Sequence, residues 1–301
     1  MSGQRERIAA IDVGSNTILL TVAEYDPEAG LVVIEEGEDQ PQLGAGLSAT
    51  GRLSEAAMLR ALRTLATMRD TCRRHGVRRL AAAATAAVRE AANGAEFVER
   101  VLALDIPLRI ISPDTEAALS YRSAAHHFPG GERQLVADIG GGSLELIGAT
   151  TGRVTLSRSL PLGAVRLTEL GLPLDQLREH IRRGLSGPIQ LPEWSGSTVI
   201  GSGGTFATLA SIVLAVRGSA SQSVHGTIVT AEEVEQLLLR LAGLSAEQRR
   251  QTPGLRPERA DIIVAGLAVV AELLRAVDAG GVTVSGFGLR DGLLLEMVGL
   301  E

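Results

Sequence analysis

The residues best suited to chemistry lie within eleven positions, Val136-Ala-Asp-Ile-Gly-Gly-Gly-Ser-Leu-Glu-Leu146, where the carboxylates Asp138 and Glu145 flank a triple-glycine turn. Glycines have no Cβ and free φ, so the backbone N–H groups of Gly140, Gly141, Gly142 and Ser143 can close around an anion. Hard carboxylate oxygens beside such a turn suit Mg²⁺ (or Mn²⁺) bridging to phosphate. An ordinary tight hairpin is the other reading of the glycine run. A second copy favours the phosphate reading: Ala10-Ile-Asp-Val-Gly-Ser-Asn-Thr-Ile-Leu-Leu20 repeats the plan of apolar strand, Asp12, a small polar turn (Gly14, Ser15, Asn16) and second strand. A third turn, Gly201-Ser-Gly-Gly-Thr205, follows the strand Thr198-Val-Ile200 and enters a helix, so Gly203, Gly204 and Thr205 offer backbone donors at a helix N-terminus.

A reacting water needs a base, and Glu116 is the candidate. It opens a helix after a central strand, where open α/β sheets present side chains to ligand; a first-turn acid that favours the helix dipole is the alternative. Arg89 and Arg166 lie in or near predicted loops and are candidates for phosphate, with a solvated face as the other reading. The five histidines show no ligand spacing, and only His225, in the turn Ser223-Val-His-Gly226, invites a functional reading. No Gly-x-Ser-x-Gly elbow supports a nucleophilic serine.

The elements that must position these groups follow from period and punctuation. Strands are expected near 8–13, 17–24 and 31–36, a helix capped by Ser54 and stopped by Gly76, a strand at 79–84, a helix at 96–104, a strand at 108–112, and a helix opened by Ser112-Pro113. The order then repeats: strands at 135–139, 144–149 and 154–160, a helical region through 165–184, a strand at 198–200 and a helix near 207–216. Thr230 with Glu233 forms a capping box. A long apolar helix is expected over 257–277, a strand at 282–285 and a last helix at 289–298. This arrangement resembles the actin-like ATPase superfamily: an α/β fold of two duplicated actin-like (ribonuclease H-like) lobes with an active-site cleft between them. The lobes are expected at 1–128 and 129–301, with the final helix, about 289–301, packing back onto the first.

Composition narrows the function classes. A chain of 301 residues with 45% hydrophobic content can bury two moderate cores. A net charge of −6 and 2% aromatic content argue against nucleic acid as a partner. All 29 basic residues are arginines, so a Walker lysine and Schiff-base chemistry are excluded. Cys72 is the single cysteine, which fits a reducing cytoplasm. With no apolar run long enough for a membrane helix and a first strand close to the N-terminus, a soluble, unprocessed, cytoplasmic protein is expected. A homodimer is the open expectation for oligomeric state.

Nine islands in order resemble the exopolyphosphatase / guanosine pentaphosphate phosphohydrolase family, in its short form, over essentially the whole chain. They are 11–16, Leu43-Gly-Ala-Gly-Leu47, Ala84-Thr-Ala-Ala-Val-Arg-Glu-Ala91, Glu116-Ala117, 138–145, Leu160-Pro-Leu-Gly-Ala-Val-Arg166, 203–205, His225-Gly226 and 285–292. The resemblance implies a metal-dependent phosphohydrolase that removes terminal phosphate from polyphosphate or guanosine pentaphosphate. By position it implies that Glu116 activates water, that Asp12, Asp138 and Glu145 hold Mg²⁺ directly or through water, and that the three glycine turns bind phosphate oxygens. This chain has Leu19 and Gln42 where many relatives carry arginine, and Leu144 where threonine is common. Longer relatives add a C-terminal helical domain, so a preference for short polyphosphates is expected. A guanosine pentaphosphate phosphatase, an ATP-using small-molecule kinase and a non-catalytic nucleotide or polyphosphate sensor are the competing readings.

Overall fold

The computed structural model describes residues 5–186 and 191–300. Residues 1–4, read above as leading directly into the first strand, and Glu301, at the end of the expected last helical stretch, lie outside the described residues. The chain divides into two compact units, Met1–Ser123 with Leu289–Glu301, and Ala124–Gly288.

The first unit begins with an antiparallel meander, β1 (Glu6–Val13), β2 (Ile18–Asp26) and β3 (Gly30–Asp39), followed by α1 (Leu47–Thr50), α2 (Glu55–Arg74), β4 (Arg79–Ala84), α3 (Ala86–Glu90), α4 (Gly94–Leu102), β5 (Leu108–Ile110) and α5 (Pro113–His127). Sheet order is β3-β2-β1-β4-β5, with β1, β4 and β5 parallel. Strand β1 is almost continuously apolar because both of its faces are covered. Ala9, Ile11 and Val13 join the core of α2 and α4, whereas Ile8 and Ala10 join Ile111, Leu119 and three leucines of the last helix, Leu289, Leu293 and Leu294. The Ser54 hydroxyl accepts from Ala57 N to start α2, and Gly76, at φ 64°, ends it. Cys72 is buried in this core, and desolvation pushes its thiol up to about 11, so it serves packing rather than reactivity.

The second unit repeats the plan: β6 (Arg133–Ile139), β7 (Leu144–Thr150), β8 (Arg153–Leu160), α6 (Ala164–Glu169), α7 (Leu174–Leu185), β9 (Thr198–Ser202), α8 (Gly204–Val216), β10 (Ile228–Thr230), α9 (Ala231–Ala242), α10 (Ala246–Arg249), α11 (Ile263–Ala276) and β11 (Gly281–Val284). Helix α12 (Leu289–Val298) then returns to the first unit, against β1, β2 and β4. Sheet order is β10-β11-β9-β6-β7-β8. Strands β8-β7-β6-β9-β11 therefore match β3-β2-β1-β4-β5 in order and direction, with β10 added at the edge. The expected duplication of α/β lobes is thus present in the topology itself. The expected Thr230–Glu233 capping box is also present.

Two helical expectations need correction. The region 165–184 is two helices, because Gly171 turns left-handed (φ 61°) and Pro173 caps α7. The stretch 257–277 opens as a 3-10 turn, Pro257–Arg259, and becomes α-helical only at Ile263. Beneath these helices Arg178 of α7 bridges Glu235 of α9 and the fully buried Glu272 of α11.

Candidate functional site

Each unit presents an aspartate at the end of its first strand and a tight turn just beyond. In the second unit Gly140 N donates to Ser143 O at 3.0 Å; in the first, Gly14 N donates to Thr17 O at 3.1 Å. The same hydrogen bond therefore closes both hairpins. Each turn is also held from behind by a Leu-Gly-Ala segment. Gly44 N donates to Ser15 O and Gln42 N to Asn16 O in the first unit. In the second, Ala164 N donates to Gly140 O, the backbone N–H groups of Val165 and Arg166 to Gly141 O, and Arg166 Nε to Gly142 O at 2.9 Å. The carbonyl oxygens that would repel an anion are thus spent on the first turn of α6, which suits the remaining backbone donors to an anion. Gly163 must be glycine for this approach, since a Cβ there would stand 2.3 Å from Ser143 N.

Strand register gathers the second unit's polar side chains. Asp138 pairs with Glu145 across β6–β7, Glu145 with Ser159 across β7–β8, and Asp138 with Ser202 across β6–β9. Ser202, Asp138, Glu145 and Ser159 therefore form one rung on one face of the sheet. Glu145 is only 2% exposed and accepts from Ser159 Oγ at 2.9 Å, while Asp138 is half-buried. Two carboxylates side by side with little water repel each other, a donor set that a divalent cation stabilises. The corresponding rung of the first unit is Ala83, Asp12, Leu19 and Glu38. The two rungs share the aspartate, but leucine stands in the first where the second has its glutamate.

The third turn meets this rung directly. Gly203, at φ 86°, caps α8, and a Cβ there would lie 2.5 Å from Asp138 Oδ1, so only glycine allows the carboxylate to sit against the helix N-terminus. Gly204 begins α8, and Thr205 is buried under Gly266 of α11. The guanidinium of Arg259 lies against Gly204, within 2.1–2.5 Å of where its Cβ would be. The sequence reading did not single out Arg259. Its only signal was the Pro257 that breaks the apolar helix and lets the arginine turn toward the glycines.

In the first unit Glu116 sits in the first turn of α5, where Ser112 Oγ accepts from Thr115 N. It is 8% exposed, and Arg89 Nη1 donates both to its Oε2 at 2.9 Å and to Ile111 O at 3.0 Å. Arg89 thus fixes the carboxylate that sequence made the base. The short helix α3, unanticipated in sequence, carries this arginine. Ser15 and Asn16 are buried in their turn, and Asn16 Nδ2 donates to Gln40 Oε1. His225 belongs to a ring cluster of the second unit with His127, Phe128 and Phe287, and its Nδ1 accepts from Gly286 N at 3.4 Å.

The model of the Ppx/GppA phosphatase family matches residues 21–301. The chain belongs to that family. Among its relatives, exopolyphosphatase 2 of Mycobacterium tuberculosis is 31% identical, covering 97% of this chain and 99% of that protein. An exopolyphosphatase crystal structure from Cytophaga hutchinsonii superposes with a TM-score of 0.90 at 26% identity, covering 98% of this chain and 99% of the other. The Aquifex aeolicus member of the family gives 0.81 at 28% identity, covering 98% of each. The match therefore spans both units and every candidate residue from Gln42 onward.

Proposed function

We propose that the chain is a metal-dependent phosphohydrolase that releases terminal phosphate from inorganic polyphosphate, as an exopolyphosphatase. The observation that carries this reading is the rung of Asp138 and Glu145 set against two anion-ready glycine turns, in a chain that matches exopolyphosphatases end to end. The donor set is hard oxygen, which fits Mg²⁺ or Mn²⁺, with Asp138 and Glu145 as holders in the second unit and Asp12 as the carboxylate of the first. Among the described residues no group of three or more His, Cys, Asp and Glu side chains is placed to hold a metal ion by itself. Such a cation would complete its shell with water and phosphate oxygens, the usual habit of Mg²⁺. When bound, the metal supplies charge neutralisation at the phosphate oxygens.

The chain's own residues supply the rest. The turns at Gly14–Asn16, Gly140–Ser143 and Gly203–Thr205 hold phosphate oxygens through backbone N–H groups. Arg259, against Gly204, adds a planar cation suited to phosphate. Glu116, with Oε2 fixed by Arg89, orients and deprotonates the attacking water. No helix among the described residues is long and apolar enough to cross a membrane, and a cytoplasmic protein without nucleic-acid or membrane partners fits this activity. A homodimer remains part of the proposal. The test is orthophosphate release from polyphosphates of defined length, guanosine pentaphosphate and ATP, with and without Mg²⁺. Metal-dependent release from polyphosphate is expected. Release from guanosine pentaphosphate alone, or from ATP only with an acceptor, would overturn the assignment.

A further inference from the structure

The rung that carries Asp138 and Glu145 ends in a serine at each side, and the two hydroxyls differ. Ser159 Oγ is engaged on Glu145 Oε1. Ser202 is 2% exposed, and its Oγ has no hydrogen-bond partner among the described residues. A buried hydroxyl left unpaired is uncommon in a folded protein and calls for a missing water, ion or ligand. Its location says which. Ser202 is the register partner of Asp138, and a single point, the place a Cβ on Gly288 would occupy, lies 3.6 Å from Asp138 Oδ2 and 4.0 Å from Ser202 Oγ. Because residue 288 is glycine, that space beside both oxygens carries no side chain. The next residue, Gly203, presses against the other oxygen of Asp138. The unpaired hydroxyl thus borders the same space as the carboxylate on which the cation reading depends.

We propose that Ser202 is a cation-site residue, whose hydroxyl accepts a hydrogen bond from a water of a hydrated divalent ion held by Asp138 and Glu145. This rests on the metal-dependent reading given above. A hydrated ion is the apt occupant because Mg²⁺ and Mn²⁺ keep several waters when few carboxylates are supplied, and those waters need acceptors. Ser202 is one such acceptor, at the end of the rung opposite Ser159. It binds no phosphate directly in this account, and it takes no part in proton transfer.

The experiment is direct titration with Mn²⁺ alone, reading free Mn²⁺ by electron paramagnetic resonance, on wild type, Ser202→Ala, Ser197→Ala and Asp138→Asn. Ser197 is the control, because it is another buried hydroxyl without a partner, just before the start of the same strand β9. Ser202→Ala is expected to weaken Mn²⁺ binding about tenfold, the low end for losing a residue that supports a metal through its ligands. Its metal-free melting temperature should stay at or above that of wild type, and the rise in melting temperature on adding Mn²⁺ should shrink. Ser197→Ala should leave Mn²⁺ affinity unchanged. If Ser202→Ala misfolds, Ser202→Cys gives a second route, since a thiol is a poor acceptor for a metal-bound water and should also weaken Mn²⁺ binding. Equal Mn²⁺ affinity in wild type and Ser202→Ala, or in wild type and Ser202→Cys, overturns the role of Ser202 while leaving the carboxylate site standing. Absence of Mn²⁺ binding in wild type overturns both.

Discussion

Arg89 Nη1 donates to Glu116 Oε2 at 2.9 Å, joining the five-residue helix α3 to the first turn of α5. A carboxylate needed only for the helix dipole has no use for a partly buried arginine that also grips the Ile111 carbonyl. A carboxylate that must aim at a water does. Glu116→Gln keeps the shape and the hydrogen bond while removing the basic oxygen. It should lower kcat by roughly 10²–10⁴-fold with little change in KM. Steady-state kinetics on a defined polyphosphate check this, and near-normal turnover would return Glu116 to the dipole role.

Asp138 and Glu145 stand on one rung, and Glu145 is almost wholly buried. Replacing either with alanine should abolish Mg²⁺-dependent turnover. In the absence of metal it should leave melting temperature unchanged or raise it, because the remaining carboxylate loses a like-charged neighbour. Calorimetry with and without Mg²⁺ separates this from a structural role, for which lost activity would track lost stability.

Leu19 is the cross-strand partner of Asp12, and Gln42 is exposed with its backbone N–H on Asn16 O. An arginine at either place would bring positive charge to the first unit's turn, where polyphosphate carries about one negative charge per unit. Gln42→Arg should therefore lower KM for long chains, by about 1–3 kcal/mol in binding, more than for short ones. The wild type should gain little affinity beyond the first several phosphates. KM against polyphosphates of graded length, at fixed salt and Mg²⁺, decides; a steep continuing gain in the wild type would contradict it.

Stability should depend on a different ionic group. Arg178 bonds Glu235 and the buried Glu272, with Arg182 and Arg275 at 3.5 and 3.7 Å from Glu272. Arg178→Met leaves Glu272 with only those longer contacts and should cost about 3 kcal/mol in urea unfolding. Activity of the folded fraction should be unchanged, because α7, α9 and α11 carry none of the residues assigned to phosphate, metal or water.

Much of this was legible in the sequence because its signals are local. The two Asp-bearing hairpins, the Ser54 cap, the Thr230–Glu233 box and the repeated order of strands all depend on residues within a few positions of each other. What sequence hid depends on register and on reach. Ser202 joins Asp138 only once β6 and β9 are aligned in parallel. Arg259 meets Gly204 across more than fifty residues, and the continuous apolar stretch after it masked the 3-10 turn that makes this contact. Arg89 was read only as a candidate for phosphate, and its grip on Glu116 needed α3, too short to show a period. The split at Gly171-Leu-Pro173 was readable, and the apolar pattern on either side outweighed it.

The central claim is removal of the terminal phosphate by an oriented water. It is tested most directly by following a polyphosphate of single defined length by ³¹P nuclear magnetic resonance after adding the protein and Mg²⁺. Orthophosphate is expected from the first turnovers as chains shorten stepwise, and Glu116→Gln, still folded, should stop it. Mid-length fragments appearing before orthophosphate, or no cleavage by the folded wild type with Mg²⁺ or Mn²⁺ present, would contradict it.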